Sequence, residues 1–221
     1  MYLRLCVLFC WFFSFARAQT TIEFIPTFQH KTVTFNQVFS DSIQLHAFSF
    51  YVGQIELLHK DKVVKRYDTY HLLTLNDSSK TTITLNQCNN QAVDAIRMLI
   101  GVDSATVENG VLAGDLDPMN GHFWTWQSGY IHLKLEGEVI RNHSEKKSFT
   151  YHIGGAVAPT NTLQTVTFPF VKQGNKLVVE LTIDPLLNWI AATNDYEIMS
   201  PSPAAVAFSG LFQQLFKPII P

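Results

Sequence analysis

The chain has 221 residues, enough for one domain with small appendages, and carries a formal charge of −2. With 47% hydrophobic and 13% aromatic residues it can fill a large core, while 15% charged residues is low for a cytosolic enzyme. Scattered Lys and Arg in a mildly acidic chain exclude the electrostatic footprint of a nucleic-acid binder.

Residues 1–18 read as a secretory signal. Arg4 gives a basic start, an apolar run follows, and Ala16-Arg17-Ala18 has the small-x-small form of a cleavage site. The run is shorter than the roughly 20 apolar residues a membrane-spanning helix needs. Phe9 before Cys10 argues against a lipoprotein, so an exported, released protein beginning at Gln19 is expected. Cleavage would leave 14 Lys+Arg against 18 Asp+Glu, a charge of −4. It would also leave Cys88 alone, either as a buried small apolar residue or as a free thiol, with no internal disulfide.

The remainder, residues 19–221, reads as one β-rich domain. Residues 20–25 and 42–58 are rich in β-branched and aromatic side chains, and 81–85 continue the pattern. Residues 91–100 fit either a short helix or an irregular strand. Residues 114–121, Gly-Asp-Leu-Asp-Pro-Met-Asn-Gly, are turn chemistry, and the carboxylates of Asp115 and Asp117 suit turn caps. Trp124 and Trp126 follow, two positions apart, so in an extended segment they would share a face. Residues 130–140, 148–153 and 165–170 are strand-like. In the first of these, His132 and Lys134 alternate with Ile131 and Leu133 and occupy the polar face.

Gln173-Gly174-Asn175 reads as a hairpin turn pairing residues 176–183 with 163–171. Asp184-Pro185 starts a short helix through Ala192. Pro203 begins a helix to about residue 216, with Ala205, Phe208, Leu211, Phe212 and Leu215 on one side. Pro218 stops it. The fold expected is an all-β antiparallel β-sandwich with a short C-terminal helical tail docked on it.

Chemistry-bearing motifs are few. Eight His are present, none in a compact metal signature. Any metal site must therefore assemble from strands distant in sequence. Neither a nucleophile elbow nor a phosphate-binding glycine loop occurs, so a non-catalytic protein is expected.

The string G-D-L-D-P-x-x-G-x-x-W-T-W-Q-S-G-Y resembles the hallmark of the MbnP-like family of secreted or periplasmic copper-binding proteins. That group is associated with methanobactin and with copper-repressible surface proteins. Four further stretches are similar to the family: Phe48-Ser49-Phe50-Tyr51-Val52, Tyr70-His71-Leu72-Leu73, Gly101-Val102-Asp103-Ser104, and Phe149-Thr150-Tyr151-His152-Ile153-Gly154.

The resemblance implies a β-sandwich that holds one copper ion, Cu(I) or Cu(II), through His from separate strands. The positions matching family His are His71 and His152. In some relatives a Trp near the metal is oxidised to kynurenine, and a diheme cytochrome c peroxidase-like partner performs that oxidation. Where such relatives carry a Trp two residues before the first ligand, this chain has Thr69, so an oxidised Trp would be Trp124 or Trp126. His122 is either a solvated turn residue or, with Trp124 and Trp126, a source of the third ligand or its surroundings. The rival expectation is an exported module that binds carbohydrate or protein on a Trp124/Trp126 stacking platform.

Overall fold

The computed structural model describes residues 19–39, 42–86, 93–110, 112–141 and 145–218. The expected signal segment, Cys88 and His143 lie outside them. Fourteen strands are present among the described residues. In chain order they are β1 (Gln19–Phe28), β2 (Lys31–Thr32), β3 (Val38–Phe39), β4 (Ile43–His59), β5 (Lys62–Thr74), β6 (Thr82–Asn86) and β7 (Ala95–Ile100). After them come β8 (Phe123–Thr125), β9 (Gly129–Arg141), β10 (Glu145–Gly154), β11 (Gln164–Pro169), β12 (Lys176–Thr182), β13 (Glu197–Ile198) and β14 (Phe216–Pro218). Three short helices, α1 (Ser104–Glu108), α2 (Asp184–Ala192) and α3 (Pro203–Ser209), complete the frame.

The strands form two sheets. The smaller runs β14-β12-β1-β2, with β6 also on β1. The larger runs β11-β7-β4-β9-β10-β13, with β3 and β5 on β4 and β8 on β9. Strand alternation sends one face of each sheet into a shared core. Ile22, Phe24, Leu177, Val179 and Leu181 bury from one side, Phe48, Phe50, Leu133, Leu135, Tyr151 and Ile153 from the other. Phe24 and Phe50 meet edge to face across the gap at 6.2 Å, and Phe216 closes the same aromatic cluster 5.9 Å from Phe50.

The expected all-β sandwich is thus what the chain builds, with differences in connection. Most pairs are antiparallel, but β1–β12 and β10–β13 are parallel. The turn at residues 173–175 forms, bridging Gln173 and Lys176, yet its flanking strands do not pair. β11 joins β7 in the larger sheet and β12 joins β1 in the smaller. Val166 and Phe168 must bury toward the same core as Leu177 and Val179, and facing sheets allow this. Residues 95–100, where sequence favoured neither helix nor strand, are β7, antiparallel to β4.

At the C-terminus α2 matches the expectation, but the second helix ends at Ser209. A 3-10 turn, Phe212–Gln214, follows it, and Phe216 then pairs with Leu181 as part of β14. Backbone pairing at the open edge of β12 satisfies donors and acceptors that another helical turn would leave there unpaired. No helix of the described residues is long and apolar enough to cross a membrane.

Candidate functional site

The outward face of the larger sheet is where polar chemistry collects. β9 alternates Leu133 and Leu135, facing the core, with His132, Lys134 and Glu136 on the other side. Lys134 pairs with Ser49 on β4 and with His152 on β10, so Ser49, Lys134 and His152 form one outward row across three strands.

The Gly-Asp-Leu-Asp-Pro segment folds over this face and is tied down by backbone carbonyls. Tyr51 donates its hydroxyl to the Asp115 carbonyl at 2.9 Å, and Tyr130 to that of Leu116 at 2.9 Å. Asp117 caps its own turn by accepting from Met119 N at 2.9 Å, while Asp115 accepts from Leu72 N on β5 at 3.1 Å. Gly121, at φ 74°, ends the second 3-10 turn and brings His122 down onto the sheet.

His122 is therefore buried, at 4% exposure, rather than solvated. Its ring stands edge-on to Tyr51 at 5.4 Å. Nδ1 lies 2.9 Å from the Ile131 carbonyl and Nε2 lies 2.8 Å from the Ser49 hydroxyl. A carbonyl only accepts, so Nδ1 carries the hydrogen and the lone pair sits on Nε2, where Ser49 donates to it. Burial pushes the His122 pKa down to about 4, Lys134 and His152 repel its charged form, and the Ile131 carbonyl opposes the fall.

His152 is pinned in the opposite sense. Nε2 lies 2.7 Å from Glu136 Oε1. The carboxylate accepts, so Nε2 carries the hydrogen and Nδ1 the lone pair. Burial lowers this pKa too, while the Glu136 hydrogen bond holds it up. Lys134, between Ser49 and His152 in the strand row, has its ammonium disfavoured by burial and supported by Glu136.

Trp124 borders the same region. Its ring packs on Gly154, where an added Cβ would come within 2.8 Å of the indole and 2.5 Å of the Tyr130 carbonyl oxygen. The indole N–H is buried without a hydrogen-bond partner among the described residues. One Trp thus lies against the strand that holds His152, as expected, but the aromatic pair does not form. β8 ends at Thr125, and Ser128 N bonds the Thr125 hydroxyl at 3.2 Å as the chain turns. Trp126 falls in that turn and is 78% exposed.

The two His expected to pair, His71 and His152, sit on different strands at different register positions. His71 lies opposite Val52, whose side chain faces the core, whereas His152 lies opposite Lys134 on the outward face. β4 and β9 stand between their strands, a lateral separation of roughly 14 Å at the usual strand spacing. His71 instead lies 3.9 Å from the Asp115 carboxylate and 3.0 Å from the Thr69 hydroxyl, beside a cleft of about 220 Å³.

His132 is wholly buried, its Nδ1 3.0 Å from the Thr162 hydroxyl. Burial takes its pKa down to about 4 against the opposing pull of the Val102 carbonyl. Gly101 is what admits it: at φ +113° a Cβ there would lie 2.8 Å from the imidazole. Asp103 in the same run caps α1 by accepting from Thr106 N at 2.7 Å. Gly101 and Asp103 of the Gly-Val-Asp-Ser stretch thus serve packing and capping.

Among the described residues no group of three His, Cys, Asp or Glu side chains could cage an ion. His122 and His152 offer two imidazoles with fixed tautomers on one face of one sheet. That donor type suits copper, and the low ligand number leaves coordination positions open. Ser49, which satisfies the His122 lone pair, and Glu136, which fixes that of His152, are members of the site that the family motifs did not nominate. Only strand register brings them to it.

The family model described as MbnP matches residues 17–200. No curated protein matches the chain at a significant level. Among solved structures the chain is similar to "MbnP from Methylosinus trichosporium". Identity is 15%, the match covers 86% of this chain and 87% of that one, and the TM-score is 0.58. At that identity the likeness concerns the fold.

Proposed function

Because this chain belongs to the MbnP family, we propose that it is an exported, non-catalytic copper-binding protein for capture, storage or relay of the metal. The observation that carries this reading is the pair of imidazoles on the outer face of the larger sheet, each with its tautomer set by an oxygen. In His122 the Ile131 carbonyl takes the Nδ1 hydrogen and leaves Nε2 as donor atom. In His152 the Glu136 carboxylate takes the Nε2 hydrogen and leaves Nδ1. Such hydrogen bonds orient a ligating His and raise its basicity. Burial keeps both rings neutral, the form that binds metal.

In this reading the bound copper supplies a soft or borderline Lewis-acidic centre, and the protein limits water around it. Trp124, packed beside Gly154, is the indole exposed to oxidation by a diheme peroxidase-like partner. Trp126 stands apart from the site. Two measurements on protein recovered from its native export route test the proposal: copper per chain, and mass-mapped peptides spanning Trp124 and Trp126. One copper per chain, with any oxygen confined to Trp124, supports it. Copper-free protein that takes up none when copper is added contradicts it.

A further inference from the structure

We propose that the open cleft beneath Trp126 is a second site, one that takes a single pyranose ring such as the terminal unit of a glycan. The cleft, of about 190 Å³, lies between α1, the β8–β9 turn and residues 156–157. Trp126 forms one wall. Val107 and Val157 line the cleft with it, and His132 is part of the same lining. Trp126 is 78% and Val157 64% exposed, so two large apolar side chains of one cleft face water. Contiguous apolar exposure of this kind marks a contact surface.

The polar members decide the ligand class. Glu108 and Gln127 also line the cleft and are exposed. A pyranose has an apolar C–H face and a rim of hydroxyls. The indole accepts the face, the carboxylate accepts hydroxyl hydrogens, and the amide both donates and accepts. A purely apolar ligand would leave Glu108 and Gln127 unused. The apolar cavity among Phe48, Phe50, Leu181 and Phe216 is no rival site, since it is too small to hold a water molecule. The walls are braced. Gly129, at φ +72°, lets Val107 approach so closely that a Cβ there would lie 3.2 Å from it, and His132 is held by Thr162.

The test is a pyranoside glycan array with the full exported chain, followed by calorimetry on the positives with wild type, Trp126→Ala, Gln127→Ala and Glu108→Gln. Trp126 is exposed, so its removal leaves the fold intact, as circular dichroism will show. Binding that falls about tenfold or more in Trp126→Ala, and falls also in Gln127→Ala or Glu108→Gln, supports the site. Absence of any array ligand sensitive to Trp126→Ala overturns it. So does tighter, Trp126-dependent binding of aromatic or proline-rich peptides, which would make the cleft a peptide site. Copper content is expected to be the same in all four proteins, and the cleft is judged independently of it.

Discussion

His152 donates its Nε2 hydrogen to Glu136 Oε1 across 2.7 Å, and this bond decides that Nδ1 keeps the lone pair. Glu136→Leu is expected to lower the His152 pKa further, because the bond is what opposes the effect of burial. A ring freed to rotate should also weaken copper binding about 10- to 100-fold. Glu136→Gln, which keeps an acceptor oxygen, should lie between wild type and Glu136→Leu. Imidazole titration by NMR and competitive copper titration read the two effects separately.

Ser49 presents a different balance. In the copper-free protein its hydroxyl satisfies His122 Nε2 at 2.8 Å inside a buried site. Ser49→Ala leaves that acceptor unpaired and should cost about 1–3 kcal/mol in denaturant unfolding. Copper on Nε2 would replace the lost partner, so the deficit should shrink when the metal is present. A deficit of the same size with and without copper would remove His122 from the ligand set.

Stability should also fall in mild acid. His122 and His132 have folded-state pKa values pushed down to about 4 by burial, whereas an unfolded His titrates near 6.5. The unfolded chain therefore takes up protons first. These two groups have no effect above about pH 6.5, and their penalty grows as pH falls from there to about 4. Each is worth on the order of 2–3 kcal/mol by the lower end. Urea unfolding at pH 7.5 and pH 5 measures it, and His132→Gln should flatten the slope.

Gly154 is where Trp124 and the Tyr130 carbonyl converge, at 2.8 Å and 2.5 Å from where a Cβ would stand. Because one neighbour is backbone, Gly154→Ala is expected to cost about 1–3 kcal/mol. It should also shift Trp124 fluorescence. An unchanged spectrum with unchanged stability would contradict the packing described for this indole.

The sandwich was legible because alternation such as Leu133 and Leu135 against Lys134 and Glu136 is a local signal. α2 was legible from Asp184-Pro185. β5 was not: Lys62, Lys65, Arg66 and Asp68 break its apolar pattern, since as a strand paired among the described residues only with β4 it keeps many side chains in water. The separation of β11 from β12 was hidden because a turn signal does not say which sheet each arm enters. The site was only partly legible in sequence for a similar reason. Motif matches nominate His71 and His152, but face parity depends on register through β4, which carries irregularities at Leu45/Ala47 and Gly53/Ile55. The burial of His122 was equally unreadable, since a turn-rich segment looks solvated until Tyr51 and Tyr130 tie it to the sheet.

In the proposed site His122 and His152, and not His71, hold the metal. Equilibrium copper titration of wild type, His122→Ala, His152→Ala and His71→Ala, each checked for a folded sandwich, tests it most directly. One copper per chain is expected in wild type and His71→Ala, with loss of stoichiometric binding in His122→Ala and in His152→Ala. Loss of binding in His71→Ala, with full binding retained in His122→Ala, would contradict it.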